Sequence, residues 1–128
     1  MVQRIDEWTK TYNDEYFNRQ FKTPYRSTVK FCDWLESLGV IDANSQSSIL
    51  DIATGKGATL YYMKQRFPSC RFLGIDINED FVKQGNYFFG KKNVQNCQLE
   101  YGDIYNLDFS NLANRYDGAI VNRQQKVY

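Results

Sequence analysis

Apolar and polar positions recur along the chain with two different periods, which predict helices and strands in turn. Residues 3–20 are polar and aromatic, with tyrosines at four-residue spacing, which indicates an amphipathic helix or a loosely attached N-terminal arm. A second helical pattern follows. Thr23 and Pro24 suit its start, because proline is tolerated in the first helical turn. Gly39 is placed to end it, because glycine accepts the left-handed conformation found there.

From residue 48 the pattern alternates between short apolar runs and helical segments. Four runs predict strands: SILDIA (48–53), RFLGIDI (71–77), CQLEYGDI (97–104) and YDGAIV (116–121). One helix between them is stopped by Pro68, and the next is capped by Asn78 and can end at Gly90. Gly85, inside that last helix, costs up to about 1 kcal/mol relative to alanine, so it either permits close packing or is simply tolerated. Alternation of this kind predicts an α/β fold with a mostly parallel, doubly wound sheet, which binds ligands at the carboxyl ends of its strands.

Composition narrows the chemistry. The chain has 128 residues, 42% of them hydrophobic, which suits one globular domain. It has no histidine, which excludes a Ser-His-Asp hydrolase, a Cys-His protease and a histidine-ligated metal. Its three cysteines lie far apart, so we expect reduced thiols, no metal site and a cytoplasmic protein. The N-terminus lacks an apolar signal core, and no segment is long enough to cross a membrane.

The stretch ILDIATGKGATLYYM, residues 49–63, carries the most specific signal. An apolar run ends in an acid, and two glycines follow before a helical pattern begins. A phosphate-binding P-loop is rejected, because Lys56 precedes the second glycine instead of following it. A dinucleotide loop wants G-x-G-x-x-G, and here Leu60 occupies the sixth position. An NAD-binding module therefore survives only as a degenerate case.

The same loop resembles the first motif of the class I S-adenosylmethionine-dependent methyltransferases, which runs acid-x-G-x-G-x-G. Asp51, Ala53, Gly55 and Gly57 match it, with alanine in place of the first glycine and Thr54 inside the loop. The resemblance covers roughly residues 48–122. It implies a Rossmann-like sheet that usually has seven strands, of which about four are present here, and it implies S-adenosylmethionine as the cofactor.

The resemblance also assigns roles to residues after the loop. Asp76, 21 residues after Gly55, would hold the ribose hydroxyls, as an acid at the end of the second strand does in dinucleotide-binding proteins. Asp103 would accept a hydrogen bond from the adenine amino group, Ile77 and Ile104 would pack against the ring, and Asn122 would lie beside the sulfonium. Simpler interpretations stay open: both acids also begin good turns, and Asn122 also suits a strand end.

In the family a leading helical segment often folds over the cofactor. Tyr12, Tyr25 and Arg26 are our candidates for that lid, and Arg26 could instead be a solvated helix start. We therefore divide the chain into an N-terminal helical arm, residues 1–47, and a cofactor-binding core, residues 48–128, together forming one structural domain. Lys56 is expected to face solvent, since S-adenosylmethionine carries no phosphate for it to pair with.

The implied reaction is methyl transfer to a small molecule or a protein. Nucleic acid is disfavoured as the acceptor, because the net charge is only +1 and the D/N-P-P-Y/F motif is absent. No general base can be named. Three strands of the usual fold are missing, so a non-catalytic or truncated cofactor-binding remnant stays open as an alternative. The fourth strand would then present an exposed edge, through which the chain could self-associate.

Overall fold

The structure, a computed structural model, describes residues 14–103, 105–108, 111 and 115–121. In chain order, the helices and strands of this part of the chain are α1 (helical over 14–22), α2 (Arg26–Ser37), β1 (Ser48–Ile52), α3 (Ala58–Arg66), β2 (Arg71–Asp76), α4 (Glu79–Lys91), β3 (Cys97–Tyr101) and β4 (Gly118–Val121). Two helices come first, and strands and helices then alternate from β1 to β3, as predicted. The α/β class predicted from the sequence is confirmed.

The strands form one sheet in the order β3-β2-β1-β4, and all three neighbouring pairs are parallel. The chain steps from β1 through β2 to β3 in one direction and then returns to place β4 on the other side of β1. The order therefore reverses beside β1, which is where open α/β sheets bind ligands. Because the strands are parallel, their carboxyl ends, from Ile52 in β1 to Asp76 in β2, lie at one edge of the sheet. Self-association through β4 stays a prediction.

Helix α2 begins later than the sequence suggests. Its first residue is Arg26 and its N-cap is Tyr25, so the prediction of a start at Thr23 and Pro24 is wrong. The Thr23 N–H still donates to the Arg19 carbonyl at 2.7 Å, which assigns it to the end of α1. The residue before a proline disfavours the helical backbone conformation, so the helix is interrupted at Thr23, between α1 and α2.

The other helix boundaries follow the local signals. Gly39 has φ +72°, and the N–H groups of Gly39 and Val40 donate to carbonyls of the last turn of α2, which forms a Schellman cap as expected. Asn78 caps α4 by accepting from the Phe81 N–H at 3.2 Å. That helix runs to Lys91, one residue past the expected end at Gly90.

The main core lies between the helices and one face of the sheet. Phe17 of α1 is fully buried there and stacks on Phe88 of α4, with ring centroids 4.1 Å apart. Leu60 in α3 and Phe67 directly after it are also fully buried in this core. All three cysteines are buried free thiols, as expected. In the described part of the chain, no helix is long and apolar enough to cross a membrane.

Candidate cofactor site

The segment between β1 and α3, residues 53–57, forms a tight loop at the carboxyl edge of the sheet, which we call the glycine loop. Three of its residues have positive φ: Ala53 at 60°, Gly55 at 63° and Gly57 at 86°. Glycine adopts these angles freely, whereas alanine does so at a cost of about 1 kcal/mol. The alanine that replaces the motif's first glycine therefore keeps the glycine-like backbone. A Cβ at Gly55 would meet nothing within 4 Å, so the loop is open above that residue.

Hydrogen bonds donated by two backbone N–H groups tie the glycine loop to β2. The Thr54 N–H donates to the Ile75 carbonyl at 3.1 Å, and the Gly55 N–H donates to Asp76 Oδ2 at 2.8 Å. The Gly57 carbonyl then accepts from the Tyr61 N–H at 2.9 Å, which begins α3. The loop is thus anchored at both ends before any ligand binds.

Two further glycines let the loop pack closely against the rest of the fold. A Cβ on Gly74, in β2, would lie 2.6 Å from Thr54 Oγ1. A Cβ on Gly85, in α4, would lie 2.4 Å from the Lys56 carbonyl oxygen and 2.3 Å from Leu99 Cδ1. Of the two interpretations of Gly85, close packing is therefore the correct one. Sequence reasoning missed Gly74, although a glycine inside a strand is itself a signal of close approach.

Asp51 is the last but one residue of β1 and is fully buried. Its Oδ2 accepts from the Thr54 hydroxyl at 2.9 Å, while its Oδ1 is buried without a hydrogen-bond partner. Burial raises the pKa of this carboxyl to about 7, with the Thr54 bond opposing the shift and the Asp76 charge adding to it. Asp51 is therefore a buried carboxyl group with a raised pKa and one oxygen that accepts no hydrogen bond.

Asp76 ends β2 and is half-buried. Its Oδ1 accepts from the Asn78 N–H at 2.8 Å, and its Oδ2 accepts from Gly55. The same acid thus organises both the turn into α4 and the glycine loop. Each carboxylate oxygen has a second lone pair, so the residue can still accept from a ligand hydroxyl. Ile77 follows it and is 58% exposed.

Asp103 follows β3 and forms a turn. Its carboxylate oxygens accept from the Tyr105 N–H at 3.0 Å and the Asn106 side-chain amide at 2.9 Å. The turn interpretation describes its contacts, and the adenine role stays a prediction. Tyr25 and Arg26 are exposed at the start of α2, and their lid role also stays a prediction. Three other candidates lie outside the described residues: Tyr12, Ile104 and Asn122.

The expectation that Lys56 faces solvent is wrong. Its side chain is half-buried, and its Nζ lies over the ring of Tyr16 in α1 and the ring of Phe81 in α4. Burial lowers the pKa of this amine. The two rings come from sequence positions 40 residues before and 25 residues after the lysine, so no local pattern could have revealed the contact.

A cavity of about 390 Å³ opens at the opposite edge of the sheet. It is lined near the amino ends of the strands by Ser48, Arg71 and Gln98, together with Arg115 before β4. We do not assign the cofactor to it, because open parallel sheets bind their ligands at the carboxyl ends. The carboxyl edge carries the glycine loop, where nothing lies within 4 Å of a Cβ at Gly55, and the Asp76 carboxylate.

Comparison with known proteins identifies the family and the fold. Residues 43–125 match the family model described as "Methyltransferase domain". The fold is similar to coclaurine N-methyltransferase bound to N-methylheliamine and SAH (S-adenosylhomocysteine), with a TM-score of 0.61, 20% identity, and coverage of 76% of this chain and 27% of that one. It is also similar to the SAH-bound N-terminal domain of EvdMO1 (TM-score 0.54, 19% identity, 66% and 33% covered) and to YcgJ from Bacillus subtilis (0.51, 21%, 66% and 33%). The chain spans about a third or less of each of these structures.

Proposed function

The chain belongs to the methyltransferase domain family, and from that premise we propose that it binds S-adenosylmethionine over the glycine loop for transfer of the methyl group to a small molecule or a protein. One observation carries the proposal: the Gly55 N–H donates to the Asp76 carboxylate at the carboxyl ends of β1 and β2, next to the point where the strand order reverses. This arrangement brings the glycine motif and the acid 21 residues later into one site, as the resemblance requires. The SAH bound in two of the similar structures supports the choice of cofactor.

The described residues fit such a cofactor. We assign the ribose hydroxyls to Asp76, which keeps free lone pairs, and one face of the adenine to exposed Ile77. We assign the positively charged part of the cofactor to the neighbourhood of Asp51, whose buried Oδ1 lacks a partner. Glycine at position 55 leaves room for the ligand to approach the backbone. Asp103 keeps its proposed role at the adenine amino group.

The bound cofactor supplies a methyl group that is already activated by its positively charged sulfur. What this chain contributes is position: it holds that group in a fixed place, so that an acceptor can attack in line, and it helps to exclude water. Burial raises the pKa of the Asp51 carboxyl beside the site, and in its ionised form that group gives the cofactor's positive charge a counterion. We name no general base.

A second candidate function is binding without transfer by this chain alone. The coverage favours keeping it, because the match takes in only 27% to 33% of each similar structure. In that case cofactor affinity would be present and methyl transfer would need the remainder of the fold. A binding assay therefore tests the first half of the proposal, and a turnover assay separates the two candidates.

The test compares Asp76→Ala with Asp80→Ala by thermal unfolding. Asp80 is an exposed acid in the first turn of α4, four residues after Asp76, so it controls for the loss of one negative charge. SAH at about 100 times its dissociation constant stabilises a protein by about 2.7 kcal/mol, which for a domain of this size raises Tm by on the order of 10 °C. We expect that shift in the parent chain and in Asp80→Ala, and little of it in Asp76→Ala. An equal shift in all three would refute the ribose assignment.

A further inference from the structure

Lys56 links the glycine loop to two helices. Its Nζ lies 4.9 Å from the centroid of the Tyr16 ring in α1 and 5.5 Å from that of the Phe81 ring in α4. Both distances fall within the range of about 6 Å in which a cation is attracted to an aromatic face. Lys56, the residue between Gly55 and Gly57, therefore places its side chain against the N-terminal helix.

The backbone of the same residue is also held in place. The Lys56 carbonyl oxygen lies against Gly85, close enough that a Cβ there would collide with it. Its amine has lost part of its hydration, and the faces of the two rings replace some of that lost stabilisation. Both the backbone and the side chain of Lys56 are therefore in contact with the helices around the loop.

Tyr16 is positioned by the core. Its ring packs edge-on against Phe17, with centroids 5.3 Å apart, and Phe17 is fully buried and stacked on Phe88. Removing α1 from the core would therefore take the Tyr16 ring away from Lys56. The docking of α1 and the environment of the glycine loop change together.

We propose that Lys56 is a positioning residue that couples the docking of α1 to the conformation of the glycine loop. Coupling of this kind is reciprocal, so a ligand that favours the ordered loop also favours the docked helix. The ligand half of this inference rests on the proposed function, whereas the coupling itself is a property of the unliganded chain.

Hydrogen exchange on the unliganded chain tests the coupling directly. Lys56→Met keeps the length and apolar stem of the side chain and removes its charge, and Tyr16→Leu removes one ring. A cation–ring contact corresponds to a factor of roughly 3 to 30 in an equilibrium constant. We expect the amides of α1 to exchange faster by about that factor in Lys56→Met, and those of the glycine loop to do so in Tyr16→Leu. The exposed Lys83 on α4 supplies the control: Lys83→Met should change neither.

The second readout is affinity for SAH. Lys56→Met should raise the dissociation constant roughly 3- to 30-fold, Lys56→Arg should restore it, and the Lys56→Met, Tyr16→Leu double variant should be no weaker than the worse single variant. The coupling would be refuted if the affinity losses of the two single variants added up in the double variant, or if Tyr16→Leu left the exchange rates of the loop amides unchanged. If the parent chain bound no SAH, the proposed function would fail, while the exchange of the unliganded chain would still decide whether Lys56 couples the two elements.

Discussion

Replacing Gly85 with alanine tests how tightly the glycine loop is packed. The new Cβ would lie 2.3 Å from Leu99 Cδ1 and 2.4 Å from the Lys56 carbonyl oxygen. The leucine side chain can rotate away, but the carbonyl belongs to the backbone of the loop. The substitution should therefore displace the loop as well as strain the core.

Two opposing terms set the size of the effect. Alanine in a helix interior is favoured over glycine by about 1 kcal/mol, whereas inserting a methyl group into a filled core costs about 1–3 kcal/mol. Gly90→Ala, in the last turn of the same helix, separates the two, because nothing lies within 4 Å of its Cβ position. The control should gain up to about 1 kcal/mol, and Gly85→Ala should lie below it by the packing cost of about 1–3 kcal/mol.

Urea unfolding of the parent and both variants measures these differences, provided that the m-values agree. We expect the midpoint to rise in Gly90→Ala and to fall or stay level in Gly85→Ala. SAH affinity should drop only in Gly85→Ala, because only that change moves the loop. If Gly85→Ala stabilised the chain as much as Gly90→Ala does, the close approach between α4 and the loop would be refuted.

Three further changes test the site and its supports. Burial raises the pKa of Asp51 to about 7, from 3.8. The protonated carboxyl therefore adds stability that is fully present below pH 4 and is lost as the pH rises through 7, by on the order of 4 kcal/mol. Asp51→Asn should thus unfold at higher urea than the parent at pH 8 but not near pH 4, and an equal gain at both pH values would contradict the assignment. Asn78→Ala should lower the unfolding free energy by about 1 kcal/mol in the same assay, because the Phe81 N–H loses its cap. Lys64→Met should lower it by about 1–3 kcal/mol, since the buried amine donates to two carbonyls in the turn after α3; no loss would mean that water replaces it.

The strand ends of the site were predictable because buried parallel strands read as continuous apolar runs. Asp51 and Asp76 each interrupt such a run, and the structure places the second against the loop that follows the first. The proximity of Gly55 and Asp76 could be predicted from the strand order alone, because neighbouring parallel strands bring their carboxyl ends together.

Contacts between distant elements were not predictable. Whether Gly85 packs closely depends on which helix lies behind the loop, and Lys56 meets Tyr16 only because Phe17 anchors α1 in the core. The start of α2 was misplaced for a different reason: proline suits a first helical turn and a helix end equally well, and only the bond from Thr23 back to α1 distinguishes them.

The central claim is that the glycine loop belongs to a methyltransferase cofactor site, and calorimetric titration of the 128-residue chain tests it most directly. SAH and NAD are titrated in parallel, because both present a ribose that Asp76 could hold. We predict micromolar binding of SAH and no binding of NAD. Binding of NAD, or no binding of SAH by a chain that circular dichroism shows to be folded, would contradict the claim.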